Sequence, residues 1–225
     1  MTAASNHTAG GGTLMKTKTP ISHQTILRLP RYLHYLEEQK EKGRDRTSST
    51  EMAYALDMTP SQVRQDLAAF GNYGAQGYGY NVPALCDEVK KILGLHISHR
   101  IAVVGAGCIG RAMLEHMDYD AYNYEVLVAF DVREDLIGTT INDVPVLDAV
   151  EMQSWFEANK VDICILAVPA SAARSVAKQL STFGVPAIWN FTNVDLTQKD
   201  MNCVVQNVDF RNSLFTLTYY LENRI

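Results

Sequence analysis

The residues best suited to chemistry cluster between Arg100 and Arg111, R-I-A-V-V-G-A-G-C-I-G-R. Ile101 to Val104 is an apolar run of the kind a buried parallel strand needs. It feeds a glycine turn, Gly105-Ala106-Gly107-Cys108-Ile109-Gly110. G-x-G-x-x-G between a strand and a helix suits a dinucleotide's pyrophosphate. The first glycine turns the chain sharply, the second lets backbone approach the phosphates, and the third lets helix pack close on strand. The helix start adds unpaired N–H groups and a partial positive charge. Alone the pattern is a weak signal, because an ordinary strand–turn–helix can carry the same glycines. A second apolar run, Tyr124 to Phe130, ends in Asp131, about twenty residues past the last glycine, where a ribose-binding carboxylate belongs. Such a carboxylate accepts hydrogen bonds from adenosine ribose hydroxyls and repels a 2′-phosphate, favouring NAD over NADP. Arg133, two residues on, is the one feature that pulls toward NADP.

These residues need elements to hold them, and the sequence supplies an alternation of strands and helices. Ile137-Gly138 to Pro145-Val146 reads as a loop and short strand, and Leu147 to Asn159 as a helix. Val161 to Val168 reads as a strand closed by Pro169-Ala170, Ser171 to Phe183 as a helix, and Ala187 to Thr192 as a further strand. That is the doubly wound α/β pattern with a parallel sheet. Ligands sit at the carboxyl ends of such strands, which nominates Val168, Pro169 and Asn190, with Phe191, as the border of a nicotinamide site. The last segment, Val208 to Ile225, sets Phe210, Leu214, Leu217 and Leu221 on one helical stripe. A stripe of that kind needs a partner surface, on its own domain or on another chain.

Ahead of the glycine turn the character changes. Met1 to Thr13, with Gly10-Gly11-Gly12, has no apolar period and reads as a disordered tail. Helical spacing begins near Ser22, with Ile26, Leu29, Leu33 and Leu36 on one face, and Pro30 is expected near a start or a kink. Ser48-Ser49-Thr50-Glu51 is a capping box. Thr59-Pro60 opens a second short helix that buries Val63, Leu67 and Phe70 and leaves Ser61, Gln62, Arg64 and Gln65 outward. Two short helices with a polar outer face fit a helix-turn-helix as well as any packed helical pair. Gly71 to Tyr80, G-N-Y-G-A-Q-G-Y-G-Y, then reads as a hairpin where a winged helix carries its wing. Pro83 to Leu93 forms an amphipathic connector.

Composition sets the limits. At 225 residues and 47% hydrophobic the chain suits one or two domains. No signal peptide or membrane span is visible, and Cys86, Cys108, Cys164 and Cys203 form no C-x-x-C pair. A cytoplasmic protein without disulfides or a metal site is therefore expected. The net charge of −5 argues against nucleic acid, but its distribution does not: residues 16–80 carry nine Lys+Arg against seven Asp+Glu, and residues 81–225 eleven against eighteen.

Taken together, V-R-Q-D-L-A-A-F-G, Y-G-A-Q-G-Y-G-Y, G-A-G-C-I-G-R-A and F-D-V resemble the Rex family of redox-sensing transcriptional repressors, from about Ile21 to the C-terminus. The resemblance implies a disordered tail over residues 1–15, a winged helix-turn-helix over 16–83, a Rossmann domain over 84–206 and a dimerising helix over 207–225. It implies a homodimer that exchanges its C-terminal helices and binds palindromic operator DNA when NADH is scarce. NADH then releases the DNA, with NAD+ as the opposing ligand. Ser61, Gln62, Arg64 and Gln65 would touch DNA from the helix, and Gly77, Tyr78 and Gly79 from the wing. Asp209 and Phe210 match positions that act at the cofactor pocket, the Asp in a polar network and the Phe near nicotinamide.

The sequence departs from the family at four places. His34 and His116 stand where an Arg and a Tyr join Asp209 in the switch network, with Tyr119 a turn later as a substitute. Gln65 and Gln76 replace cations, which removes phosphate contacts. Cys108 sits inside the glycine turn at a helix start, where a thiol can become reactive. Two histidines around one carboxylate would make the NADH response pH-dependent near neutrality. The competing readings are an NAD-dependent oxidoreductase with a helical accessory domain, and an NAD-binding adaptor whose front domain grips protein. No Tyr-x-x-x-Lys or second substrate domain supports an enzyme.

Overall fold

The computed structural model of the chain describes residues 21–71, 74–75, 78–197 and 201–223. The tail expected over residues 1–15 lies outside them. The chain divides into two compact units, one ending at Gly94 and the other starting at Leu95.

The front unit opens with α1 (His23–Glu41), capped by Ser22, whose Oγ accepts the Thr25 N–H at 3.1 Å. Its buried stripe is Leu29, Tyr32, Leu33 and Leu36, while Ile26, expected on that face, is 44% exposed. Pro30 lies inside the helix on its exposed side, where water can serve the carbonyl that a proline cannot. After β1 (Arg46–Thr47) both halves of the capping box form. Ser48 Oγ accepts the Glu51 N–H at 3.1 Å, and the Glu51 carboxylate accepts the Ser48 N–H at 2.8 Å. This fixes the start of α2 (Ser49–Leu56), which Asp57 ends by adopting left-handed backbone, φ 53°.

Thr59 caps the next helix, α3 (Pro60–Ala68), with Pro60 in its first turn. Val63 and Leu67 are buried, whereas Phe70, past the helix end, is half-buried. β2 (Gly74–Ala75) and β3 (Gly79–Asn81) pair antiparallel, and β3 also pairs with β1. α4 (Val82–Ile92) packs on α1, with Lys90 Nζ 2.8 Å from the Glu37 carboxylate. The amphipathic connector thus goes with the front unit.

The rear unit runs β4 (His99–Val104), α5 (Cys108–His116), β5 (Tyr124–Asp131), β6 (Thr140–Ile141), β7 (Val144–Asp148), α6 (Met152–Ala158), β8 (Ile163–Leu166), α7 (Ala170–Thr182), β9 (Ala187–Asn190), β10 (Val204–Asn207) and α8 (Phe210–Asn223). Among the described residues seven strands form one sheet, ordered β10-β9-β8-β4-β5-β7-β6, and only the β6–β7 pair is antiparallel. The order runs outward from β4 in both directions, so the crevice of a doubly wound sheet opens at the carboxyl ends of β4 and β8. Successive residues point to opposite faces. Ala102, Val104 and Phe130 face a core shared with Phe156 of α6 and Leu180 of α7, while Ile101, Val103 and Ala129 face Leu114 of α5.

Two elements differ from expectation. The helix expected from Leu147 starts at Met152, because Leu147 and Asp148 finish β7 and Asp148 Oδ1 then accepts the Val150 N–H at 3.0 Å to cap a 3-10 turn. β10 was not foreseen: it is an edge strand whose residues are exposed apart from a half-buried Val205. No residue of α8 is buried, and Leu214, Leu217 and Leu221 are between 59% and 69% exposed. The apolar stripe is not packed on its own unit.

Candidate functional site

The crevice at the ends of β4 and β8 is a cleft of about 500 Å³, bordered by the glycine turn, the Asp131–Arg133 corner and Val168-Pro169. The three glycines differ in what holds them. Gly105 has φ +96°, and a Cβ there would sit 2.6 Å from the Ala167 carbonyl oxygen. A Cβ on Gly110 would lie 1.8 Å from the Gly105 carbonyl oxygen, so no side chain fits between α5 and the turn. A Cβ on Gly107 would meet nothing within 4 Å. Space in front of Gly107 is what an approaching phosphate requires. Gly107 is also the N-cap of α5 and supplies no side-chain cap, which leaves first-turn N–H groups for an anion. Cys108 and Ile109 line the cleft there, and the Cys108 thiol is exposed.

Ala106 has another task. Its N–H donates to Asp131 Oδ2 at 2.7 Å and pins the turn to the end of β5. Asp131 Oδ1 accepts the N–H groups of Val132 (2.8 Å) and Arg133 (2.9 Å), and the residue is 9% exposed. A carboxylate offers roughly four lone-pair positions, so one on Oδ2 remains for a ribose hydroxyl. The open face of Gly107, the uncapped helix start and this remaining acceptor fit a dinucleotide.

Val168 and Pro169 border the cleft, but Asn190 and Phe210 do not line it. Asn190 has its amide engaged inside the fold: Nδ2 donates to the Val194 carbonyl and Asn207 Oδ1, both at 2.7 Å, and Oδ1 accepts from the Thr192 N–H and hydroxyl. Phe210 stands 57% exposed, its ring 6.2 Å from Phe191.

Within the rear unit, among the described residues, no hydrogen bond links His116, Tyr119 and Asp209 to one another. His34 is exposed on α1, and His116 is exposed with Nε2 4.0 Å from the Glu115 carboxylate. Asp209 is forked by the Arg211 guanidinium at 2.6 to 3.1 Å, which holds its carboxyl below the usual carboxylate range. Tyr119 is buried, and burial pushes its phenol up to about 12. Among the described residues its hydroxyl is the one buried side-chain polar atom with no hydrogen-bond partner.

In the front unit, α3 presents the expected polar face. Ser61, Arg64 and Gln65 are exposed, and Gln62 is half-buried. Arg64 donates to Ser49 Oγ at 3.1 Å, which steadies it across the two helices. Tyr78 is exposed, and Arg46 donates to its carbonyl at 2.9 Å with the guanidinium 5.7 Å from the ring centroid. Gly79 has φ +68°, and a Cβ there would lie 2.4 Å from the Thr47 carbonyl oxygen, so β1 demands this glycine. Gly77 and Gln76 lie outside the described residues.

Beneath this face sits a cluster that the sequence reading missed. Asp66, 1% exposed, accepts from Arg28 Nε (2.6 Å) and a terminal Arg28 nitrogen (2.7 Å), Tyr32 OH (2.7 Å), Gln62 Nε2 (2.9 Å) and Thr25 Oγ1 (3.3 Å). Burial alone would raise its carboxyl, but the bonds from Arg28, Tyr32 and Gln62 outweigh it and hold the group below its ordinary value. Asp66 thereby ties α3 to α1. The signal was present: Asp66 falls on the apolar stripe between Val63 and Leu67, and a buried carboxylate must find donors. Gln62, nominated for DNA, spends one of its two amide N–H donors on Asp66 and keeps the other N–H and its oxygen.

Comparison with known proteins follows the same division. Residues 20–68 match a family model described as a putative DNA-binding protein N-terminus, and residues 96–194 match a CoA binding domain. The redox-sensing transcriptional repressor Rex of Clostridium beijerinckii (strain ATCC 51743 / NCIMB 8052) is 44% identical over 207 residues, 92% of this chain and 98% of that protein. Rex of Clostridium novyi (strain NT) is 42% identical over the same shares. Two solved structures of the Rex-family repressor RSP superpose closely. The complex with NAD+ and operator DNA has a TM-score of 0.85 at 39% identity and covers 92% of this chain and 95% of that one. The complex with NADH has a TM-score of 0.84 at 37% identity and covers 92% and 97%. With identity of this order over nearly its whole length, the chain belongs to the Rex family of redox-sensing transcriptional repressors.

Proposed function

We propose that this chain is a DNA-binding repressor that reads the NADH/NAD+ ratio: it holds palindromic operator DNA and leaves it when NADH fills the cleft. One observation carries the reading. The same fold, over 92% of this chain, is that of a repressor solved with NAD+ and operator DNA and again with NADH. In the front unit Arg64 is the first candidate for a base or phosphate contact, with Ser61, Gln65 and the Gln62 oxygen beside it, and Tyr78 and Gly79 at the base of the wing. In the cleft the turn from Gly105 to Gly110 takes the pyrophosphate, Asp131 the adenosine ribose, and Val168-Pro169 the nicotinamide end. NADH removes DNA because it binds better to an arrangement that cannot span two half-sites. By linkage, DNA weakens NADH binding by the same factor.

The partner is a second copy, exchanged through α8. Two features support this. α8 leaves its Leu214, Leu217 and Leu221 stripe uncovered, and the α5 face of the sheet carries a largely apolar cleft of about 370 Å³ bordered by Met117, Tyr119, Ile163 and Trp189. Tyr119 borders it, which makes Tyr119 the more apt replacement for the family's tyrosine than exposed His116. A dimer of this kind presents two α3 helices to half-sites about 34 Å apart. The place of action is the cytoplasm. Among the described residues no helix is long and apolar enough to cross a membrane.

The test is a mobility shift of a palindromic duplex, titrated with NADH against fixed NAD+. Release by NADH at concentrations where NAD+ has no effect supports the reading. Undiminished DNA binding at saturating NADH, or substrate-dependent NADH oxidation, overturns it.

A further inference from the structure

Arg133 is the one Lys or Arg among the described residues that line the nucleotide cleft. It stands two residues beyond Asp131, at the end of the cleft where the adenosine ribose belongs. In dinucleotide-binding folds a carboxylate there accepts from a 2′-hydroxyl, while an arginine nearby accommodates a 2′-phosphate. Both residue types are present, and their geometry decides between them. The Arg133 backbone N–H supports Asp131 Oδ1 at 2.9 Å, so the residue helps to aim the ribose carboxylate. Its guanidinium is directed elsewhere: Nε donates to Asp135 Oδ1 at 3.2 Å and a terminal nitrogen to Asp135 Oδ2 at 2.9 Å. This is the fork-on-fork pairing that matches guanidinium to carboxylate.

We infer that Asp135 is a specificity-determining residue, which keeps the cleft selective for the unphosphorylated coenzyme by occupying the guanidinium that would otherwise receive a 2′-phosphate. Resting on the coenzyme role proposed above, this assigns a task to a residue outside the cleft lining. The ribose end of the cleft then has the Asp131 carboxylate, with Asp135 just outside the lining holding the one cation, and an incoming phosphate dianion meets net negative charge. Both partners are exposed, with side chains at 53% and 71%. An exposed pair biases a population by at most roughly fivefold. Asp135 therefore acts as a filter on affinity and not as a steric block. NADH carries no 2′-phosphate to pair with Arg133, so its affinity is expected to depend little on the pair.

The experiment measures binding of NADH and NADPH to the full-length protein, by coenzyme fluorescence at low salt, for the unsubstituted chain, Asp135→Asn and Asp135→Asn/Arg133→Gln. Asp135 is exposed, so the single variant is expected to fold normally. The expected result is a rise of about twofold to fivefold in NADPH affinity relative to NADH for Asp135→Asn, with most of the rise lost in the double variant and at high salt. An unchanged NADPH/NADH ratio in Asp135→Asn overturns the proposal. So does a rise that persists in the double variant, because charge removal alone would then account for it. If the unsubstituted chain binds no NADH, the coenzyme reading falls and takes the proposal with it, a result distinct from NADH binding with an unmoved ratio.

Discussion

At the scale of single residues, the glycine turn makes a prediction that a shared motif alone would not. Gly107→Ala leaves the fold intact, because nothing lies within 4 Å of the new Cβ, but obstructs the phosphates. Its melting temperature should match the parent within a few degrees while NADH binding falls at least about tenfold, a loss that roughly 1.4 kcal/mol would produce. Gly110→Ala is the opposite case. Its Cβ collides with the Gly105 carbonyl oxygen, backbone that cannot swing aside, and the domain should lose about 1–3 kcal/mol, seen as a lower denaturation midpoint. Equal effects in the two variants would refute this division of labour. The glycines were legible because their constraint is local, set by the turn itself. Asn190 was not, because its partners include Asn207, seventeen residues on, and no spacing rule discloses that pairing. On the proposed DNA face, Arg64→Ala should weaken operator binding by about 1–3 kcal/mol and flatten the salt slope by roughly one, with NADH affinity unchanged. A salt slope equal to the parent's would remove Arg64 from the interface.

Among elements, the tie between α1 and α3 sets how firmly the candidate recognition helix is held. Asp66→Ala strands the Arg28 and Tyr32 donors and should cost about 2–3 kcal/mol, discounted for the partial exposure of Arg28. Its pH dependence has a definite sign. Folding lowers the Asp66 pKa below the 3.8 of a free carboxyl, so the contribution is complete above that value and fades as pH falls through the folded one. The stability gap between parent and variant, from urea melts, should be steady from about pH 7 to pH 5 and shrink below about pH 4. A gap that widens in acid would contradict the assignment. Helix starts were legible in advance, since Ser22, the Ser48–Glu51 box and Thr59-Pro60 act on neighbours three residues away. β10 was hidden because an exposed edge strand with one half-buried residue lacks an apolar period, and α6 began late because Asp148 competes for the backbone.

For the whole molecule, two units carry two separable tasks, and α8 is the element left without a surface. A chain ended after Asp209 should keep its Rossmann fold but sediment as a monomer and lose most of its operator affinity, since one half-site replaces two. A truncated chain that still sediments as a dimer would place the interface elsewhere. The broad architecture was readable from the order of apolar runs and glycines, because a doubly wound sheet writes its strands as continuous hydrophobic segments. The spacing of the α8 stripe shows that a partner surface is needed but not where that surface lies.

The proposed exchange of α8 between copies has a genetic corollary. Co-produced in equal amounts with healthy copies, chains carrying Arg64→Ala but an intact rear unit would mix at random, leaving about one pair in four fully armed. Such an allele should behave as dominant, derepressing a reporter well beyond a halved gene dose, whereas the same allele shortened after Asp209 should be silent.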